Sequence, residues 1–296
     1  MLTIRVPAST ANLGAGFDAM GMALDVFNVL EIQPAEALDI QADSPLVPRG
    51  EDNLIWQSML HTFRVAGRQP IPVRLRQIDA IPMTRGMGSS SACIVGGVVA
   101  ANALMGGPLD EAQLCDLVVR MEGHPDNVLP ALLGGLVVAA VEEEGAVRYA
   151  RLTPHPRFAY RVLTPDYPLA TAKARAVLPP HYTRSEATYN LGRALLMAAS
   201  LEHGLADNLA AAAQDCIHQP YRKTLIPGFD RIGAAAYEAG ALSMTLSGAG
   251  PSLFLILDGE PPGFDARMAQ ALSGVPGNWD ILTVHPHMQG AVVEGA

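Results

Sequence analysis

The sequence predicts an α+β fold in two lobes, and three observations carry that expectation. Strand-like stretches recur along the chain but are separated by helical ones, so sheets covered by helices are expected. Glycine-rich segments stand at strand ends, at 12–21, 85–90 and 247–251. The composition shifts at the charged run Glu142-Glu143-Glu144-Gly145, close to the middle of 296 residues. That length is enough for two modest domains, each with a core, and the expected division is 1–150 and 151–296.

The elements follow in order. Thr3–Val6 and Leu24–Ile32 are β-branched or alternating and predict strands, with the Gly/Asn-rich segment Asn12–Gly21 between them. Pro72–Ile78 alternates apolar and basic residues as a half-exposed strand does. Ser90–Leu104 is apolar nearly all round, which predicts a buried helix. Asp110–Met121 is an amphipathic helix with Leu109, Leu114, Leu117 and Val118 on one side. Glu122–Asn127 interrupts it, because Pro125 cannot continue a helix, and Leu136–Glu142 returns as a strand. Past the charged run, Tyr160–Leu163 predicts a strand. Leu169–Val177, Ser185–Glu202, Leu205–Ile217 and Gly228–Ala239 predict helices. Strands Ala241–Leu246 and Ser252–Leu257 flank the turn Ser247–Pro251, and a helix at Phe264–Leu272 and a strand at Trp279–Val284 follow.

Composition excludes several classes of function. The chain is 49% hydrophobic and 17% charged, a globular composition rather than a disordered one. Its net charge is -9, and only Lys173 and Lys223 among its 20 basic residues are lysines, so no basic stripe exists to replace the counterions of a nucleic acid. An anionic ligand must therefore be held by local arginines and backbone N–H groups. Cys93, Cys115 and Cys216 are odd in number and widely spaced, which argues against a disulfide framework and fits a reducing cytoplasm. No signal peptide is visible, and the apolar stretches at 93–105 and 128–141 are broken by Gly, Asn or Pro, so a soluble protein is expected.

Four segments hold the candidate chemistry. The first is Pro82-Met83-Thr84-Arg85-Gly86-Met87-Gly88-Ser89-Ser90-Ser91-Ala92, between a strand and a buried helix. Glycines bring N–H groups to the surface, and a helix start adds unpaired donors and a positive dipole end. That combination suits phosphates. It lacks the lysine of G-x-x-x-x-G-K-[ST] and does not match G-x-G-x-x-G. Alone, it fits a serine-capped turn equally well. The second is Glu122-Gly123-His124-Pro125-Asp126-Asn127, where two carboxylates, an imidazole and a carboxamide sit in an apolar neighbourhood. A carboxylate such as Glu122 suits magnesium; the plainer reading has Asp126 capping a helix that starts near Asn127. The third is Pro7–Asp18, where Asn12 and Asp18 offer partners for a hydroxyl or an ammonium group, though a turn-rich connection explains it as well. The fourth, Leu246–Ser252, is either a close approach to a ligand or a plain hairpin. His285-Pro286-His287 lacks metal-ligand spacing.

Taken in this order, the motifs Pro7–Asp18, Arg85–Ser90, Glu122–Asn127 and Leu246–Pro251 resemble those of the GHMP kinase superfamily, and within it most closely those of the homoserine kinases. Thr171–Pro179 and His218–Arg222 share that resemblance, which spans nearly the whole chain. Met87, Ser91 and Ala15 depart from the leucine, alanine and proline usual in the family, and the ligand assignments stand without them.

The resemblance implies a GHMP kinase architecture, with an N-terminal domain like ribosomal protein S5 and a ferredoxin-like C-terminal domain around one active site. It implies transfer of the γ-phosphate of ATP to the side-chain hydroxyl of L-homoserine, with Mg2+, in threonine biosynthesis. Pro82, Arg85, Gly86, Met87, Gly88, Ser89, Ser90, Ser91 and Ala92 are expected at the ATP, with Asn53 near the adenine. Ser90 and Glu122 are expected on the metal. Asn12, Asp18, His124, Asn127 and Gly248 are expected around the substrate, and Arg175 and Arg222 on its carboxylate, for which a guanidinium fork is well shaped. Asn127, Asp18 and Glu122 are the expected catalytic residues. An amide cannot accept the hydroxyl proton, so Asn127 is expected to orient the nucleophile and no strong general base is expected. The expected partner is the small-molecule substrate, with no nucleic acid and no membrane, and the chain is expected in the cytoplasm as a homodimer. Kinases for mevalonate, a sugar or a diphosphocytidyl alcohol are the rival readings inside the superfamily. A non-catalytic sensor, which has no need of Glu122 and Ser90 as metal ligands, is the rival outside it.

Overall fold

The computed structural model describes residues 1–295. The first sheet begins with β1 (Leu2–Ala11) and the long β2 (Met20–Pro34), paired antiparallel. β3 (Asp39–Ala42) follows, and helix α1 (Leu54–Val65) leads to β4 (Val73–Ile78). Three helices come next: α2 (Ser89–Leu104), α3 (Glu111–Glu122) and α4 (Pro125–Leu133). β5 (Leu136–Val141) and β6 (Val147–Leu152) close this part of the chain. β2 is long enough to serve two partners: its start pairs with β5 and its end with β4.

The second sheet contains β7 (Phe158–Pro165), after which α5 (Thr171–Ala176) and α6 (Arg184–His203) cross over. Two short helices, α7 (Leu209–Ala212) and α8 (Gln219–Arg222), precede α9 (Phe229–Glu238). β8 (Ala241–Leu246), β9 (Leu253–Asp258), α10 (Phe264–Leu272) and β10 (Trp279–Val284) complete the second sheet, ordered β10-β7-β9-β8. The chain then returns to the first sheet, where β11 (Val292–Glu294) pairs with β1. The expected boundary at residue 150 falls inside β6, and the final strand belongs with the first lobe.

Apolar periodicity sets the packing. α2 buries Ile94, Val95, Val98, Ala100 and Ala101 between β1 and α1, as its apolar sequence predicts. β9 is a continuous apolar run because both its faces are covered. Phe254 and Ile256 join the core of the first lobe, while Leu253, Leu255 and Leu257 pack under α9 and α10. One face of the second sheet thus completes the core of the first, which fixes the two lobes against each other at the glycine-rich loops.

The structure adds to the expected elements and breaks one. The segment 54–65 is helical, capped by Asn53 and with Ile55, Trp56, Met59 and Phe63 buried. The edge strands 39–42 and 147–152 are short and half-exposed, which leaves them little local signal. The predicted helix Leu205–Ile217 is broken: a 3-10 turn and α7 end by residue 212, and Asp215 then accepts from the N–H groups of Ile217, His218 and Gln219 at the start of α8. A carboxylate bonded to its own following backbone redirects the chain more effectively than apolar periodicity continues it. No helix among the described residues is long and apolar enough to cross a membrane.

Candidate active site

Residues from all four motifs line one cavity of about 300 Å³ between the lobes. At its centre is the turn before α2. Gly88 is the N-cap, at φ 70°, and the first-turn N–H groups behind it have no intrahelical partners. Ser89 and Ser90 line the cavity beside them. Both loop glycines are there for lack of room. A Cβ on Gly88 would lie 2.2 Å from Ser9 Oγ, and one on Gly86 would lie 2.2 Å from the carbonyl oxygen of Ser247. Ser247 Oγ donates to the Gly86 carbonyl at 2.6 Å, and Ser252 N–H donates to that of Arg85 at 3.2 Å. The fourth motif is therefore a close backbone approach that braces the phosphate-type loop, and not a plain hairpin.

The second motif is a joint between two helices. α3 ends on Gly123 in the left-handed region, and α4 starts with His124 as N-cap and Pro125 in its first turn. The turn aims Glu122 and His124 into the cavity. Asp126 does not cap the helix; it is buried and lies 2.5 Å from His124 Nδ1, fixing that ring. His124 Nε2 is 4.0 Å from Glu122 Oε1, and Ser91 Oγ donates to the same oxygen at 2.9 Å. Ser9 Oγ donates to Asn127 Oδ1 at 2.9 Å, so Nδ2 is the free end of that amide. It can hold a hydroxyl oxygen but cannot take its proton.

Charge concentrates at the end near the second lobe. Arg175 forms a two-pronged ion pair with Asp18, at 2.8 and 3.0 Å. Arg222 is 2% exposed and donates to the carbonyls of Ala174 and Gly248 at 3.1 and 3.3 Å. No acidic side chain among the described residues pairs with it. Asn12 joins its own loop to the fourth motif, accepting from Asp18 N–H and donating to Gly248 O.

These contacts perturb the titrating groups. Burial raises the pKa of Glu122, against the opposing pull of His124 and the Ser91 hydrogen bond. For His124 burial acts downward, but the hydrogen bond and charge of Asp126, with Glu122 and Asp18, outweigh it and the net shift is upward. The hydrogen bonds from Arg175 to Asp18 raise the arginine's pKa, whereas burial, aided by Arg175, lowers that of Arg222.

Several expected ligands have other work in the structure. Arg85 does not line the cavity: its guanidinium donates to the carbonyls of Met83, Pro165 and Asp166, tying the loop to the second lobe. The Met87 and Ala92 side chains are in the core, so only their backbone is near the loop. Pro82 stands outside the cavity lining. Asn53 lines the apolar end, but its amide caps α1 and donates to Pro48 O. Sequence reasoning missed Ser9, Gln77 and Asp126, and it gave Ser91 no role at Glu122. Ser9 and Ser91 find partners 118 and 31 residues away, which gives no local signal, whereas Gln77 and Asp126 pair with Asp79 and His124 two positions off.

The family model for the GHMP kinases N terminal domain matches residues 53–135, and that for the GHMP kinases C terminal matches 197–271. A homoserine kinase of Caldicellulosiruptor saccharolyticus is 43% identical over 298 residues, covering 99% of this chain and 96% of the relative. The crystal structure of homoserine kinase from Cytophaga hutchinsonii superposes with a TM-score of 0.88 at 27% identity, over 99% of this chain and 97% of that one. The Methanococcus jannaschii mevalonate kinase, at 12% identity and a TM-score of 0.68 over 96% and 98% of the two chains, shares the fold alone.

Proposed function

The chain belongs to the GHMP kinase family, and from that premise we propose that it transfers the γ-phosphoryl group of ATP to the side-chain hydroxyl of L-homoserine, giving O-phospho-L-homoserine for threonine biosynthesis. The observation that carries the reading is Arg222, a buried guanidinium without a carboxylate partner, set beside Arg175 in the cavity of the phosphate-type loop. A buried charge is costly unless paired, so this end of the cavity is built to receive an anion. Asp18 adds an acceptor for an ammonium group, and a zwitterion fits both.

In this reading Ser89, Ser90 and the first-turn N–H groups of α2 hold the phosphates. Asn127 Nδ2 holds the hydroxyl oxygen in line with the γ-phosphorus, and phosphoryl transfer needs such positioning and charge stabilisation more than covalent help. Glu122 and Ser90 offer the hard oxygen donors that Mg2+ shares with phosphates. When bound, the ion neutralises charge on the nucleotide. The three cysteines, unpaired among the described residues, favour a cytoplasmic location.

The test is ADP release from ATP and Mg2+ with homoserine, mevalonate or galactose as acceptor. Turnover with homoserine alone is expected. Turnover with mevalonate and none with homoserine overturns the assignment.

A further inference from the structure

The cavity has an end that the phosphates and the amino acid leave free. It is walled by Val47, Pro48 and Ile55, where Asn53 meets Pro48 and Gln77, and in this reading it takes the nucleotide base. Gln77, on β4, reaches this end with its side chain 2% exposed. Its Nε2 lies 2.8 and 3.0 Å from the two carboxylate oxygens of Asp79. Asp79 also accepts from Asn28 Nδ2 at 2.9 Å, and Asn28 Oδ1 takes the N–H groups of Ala80 and Ile81, so the carboxylate is itself held in place. An ionised carboxylate only accepts. The NH2 of Gln77 must therefore face Asp79, and Oε1 must face the other way. Its one hydrogen-bond partner among the described residues is Asn53 Nδ2 at 3.5 Å, too long for a good hydrogen bond, and Asn53 is already committed to Pro48 O at 2.8 Å.

We infer that Gln77 Oε1 is a fixed acceptor for the exocyclic amine of adenine, with Asp79 as the positioning residue, and that this pair selects ATP over GTP. The inference rests on the kinase reading above. Adenine presents an N–H donor where guanine presents a carbonyl oxygen. Two acceptors facing each other in a buried site leave both without a proton, and sites built to hydrogen-bond one group reject its replacement strongly.

The experiment compares wild type, Gln77→Met and Asp79→Asn with ATP and with GTP, homoserine being the acceptor. Wild type is expected to favour ATP by about 100-fold or more in kcat/KM. Gln77→Met should raise KM for ATP about tenfold and reduce the preference to less than about tenfold, with the KM for homoserine unchanged. Asp79→Asn, which does not touch the nucleotide, frees the Gln77 amide to turn and should lower KM for GTP. An unchanged ATP-to-GTP ratio in Gln77→Met with a normal melting transition overturns the inference. If that variant does not fold, an unchanged ratio in Asp79→Asn does so alone. Wild type inactive on homoserine with either nucleotide counts against the kinase reading. The role of Gln77 is then read by calorimetry, and equal binding of ATP and GTP to wild type overturns it.

Discussion

Glu122 is held where burial opposes its charge, with Ser91 and His124 as its immediate polar neighbours. Because its pKa is raised on folding, a penalty on the ionised form is absent below its ordinary value of 4.5 and grows as pH rises through the folded value. His124 is also raised on folding, so its favourable contribution is present below 6.5 and is lost as pH rises past its folded pKa. Both groups therefore make the protein less stable as pH increases. Glu122→Gln removes the first of these costs. It should raise the melting temperature at alkaline pH by roughly 2 °C, the shift that about 1 kcal/mol gives in a chain of this size. At acid pH, where Glu122 is protonated in both states, the difference should vanish. The same variant should lose about 100-fold or more in turnover, the scale of removing one electrostatic contact to a transition state. A variant that melts lower at alkaline pH, or keeps its activity, contradicts this account of the residue.

At the scale of elements, legibility in sequence followed the range of the determining contact. α2 was readable because its own composition buries it on every side, and β9 because a run of five apolar residues has to be covered on both faces. α1 was within reach too: Asn53 is an N-cap and Ile55, Trp56, Met59 and Phe63 share its buried side. β6 is a half-exposed edge that pairs with the adjacent β5, and β11 is defined only by pairing with β1 at the other end of the sequence. The site behaves in the same way. Each glycine-rich or polar segment marked itself, yet which atoms remain free depends on partners such as Ser9, 118 residues from Asn127. Two glycines allow a test of this difference. Gly86 and Gly67 both have positive φ, at 79° and 64°, but a Cβ on Gly67 meets nothing within 4 Å while one on Gly86 meets two carbonyl oxygens of the fourth motif. Gly67→Ala should cost about 1 kcal/mol, the left-handed penalty alone. Gly86→Ala should cost well over about 2 kcal/mol in chemical denaturation and abolish activity, since the backbones must separate. Equal losses in the two variants exclude the bracing role.

Across the whole molecule, the site exists because one face of the second sheet completes the first core and thereby places α5 and α8 opposite the loop after β1. Asp18 comes from one lobe and Arg175 from the other, and they pair with each other. In the proposed reading a zwitterionic substrate replaces both halves of that pair, its ammonium group on Asp18 and its carboxylate on Arg175. 4-Hydroxybutanoate, which is homoserine without the amino group, replaces only one half and leaves Asp18 without a partner. Wild type should therefore discriminate against it by about 100-fold, the scale of a charge-assisted hydrogen bond lost and its partner stranded. In Asp18→Asn the pair is gone before either ligand arrives: homoserine should bind less tightly, 4-hydroxybutanoate more tightly, and the discrimination should shrink to about tenfold or less. The KM for ATP should stay within about twofold, because the proposed phosphate site is the α2 turn of the first lobe. Steady-state KM values for the two acceptors measure this directly, and undiminished discrimination in Asp18→Asn would show that the ion pair does not compete with the substrate.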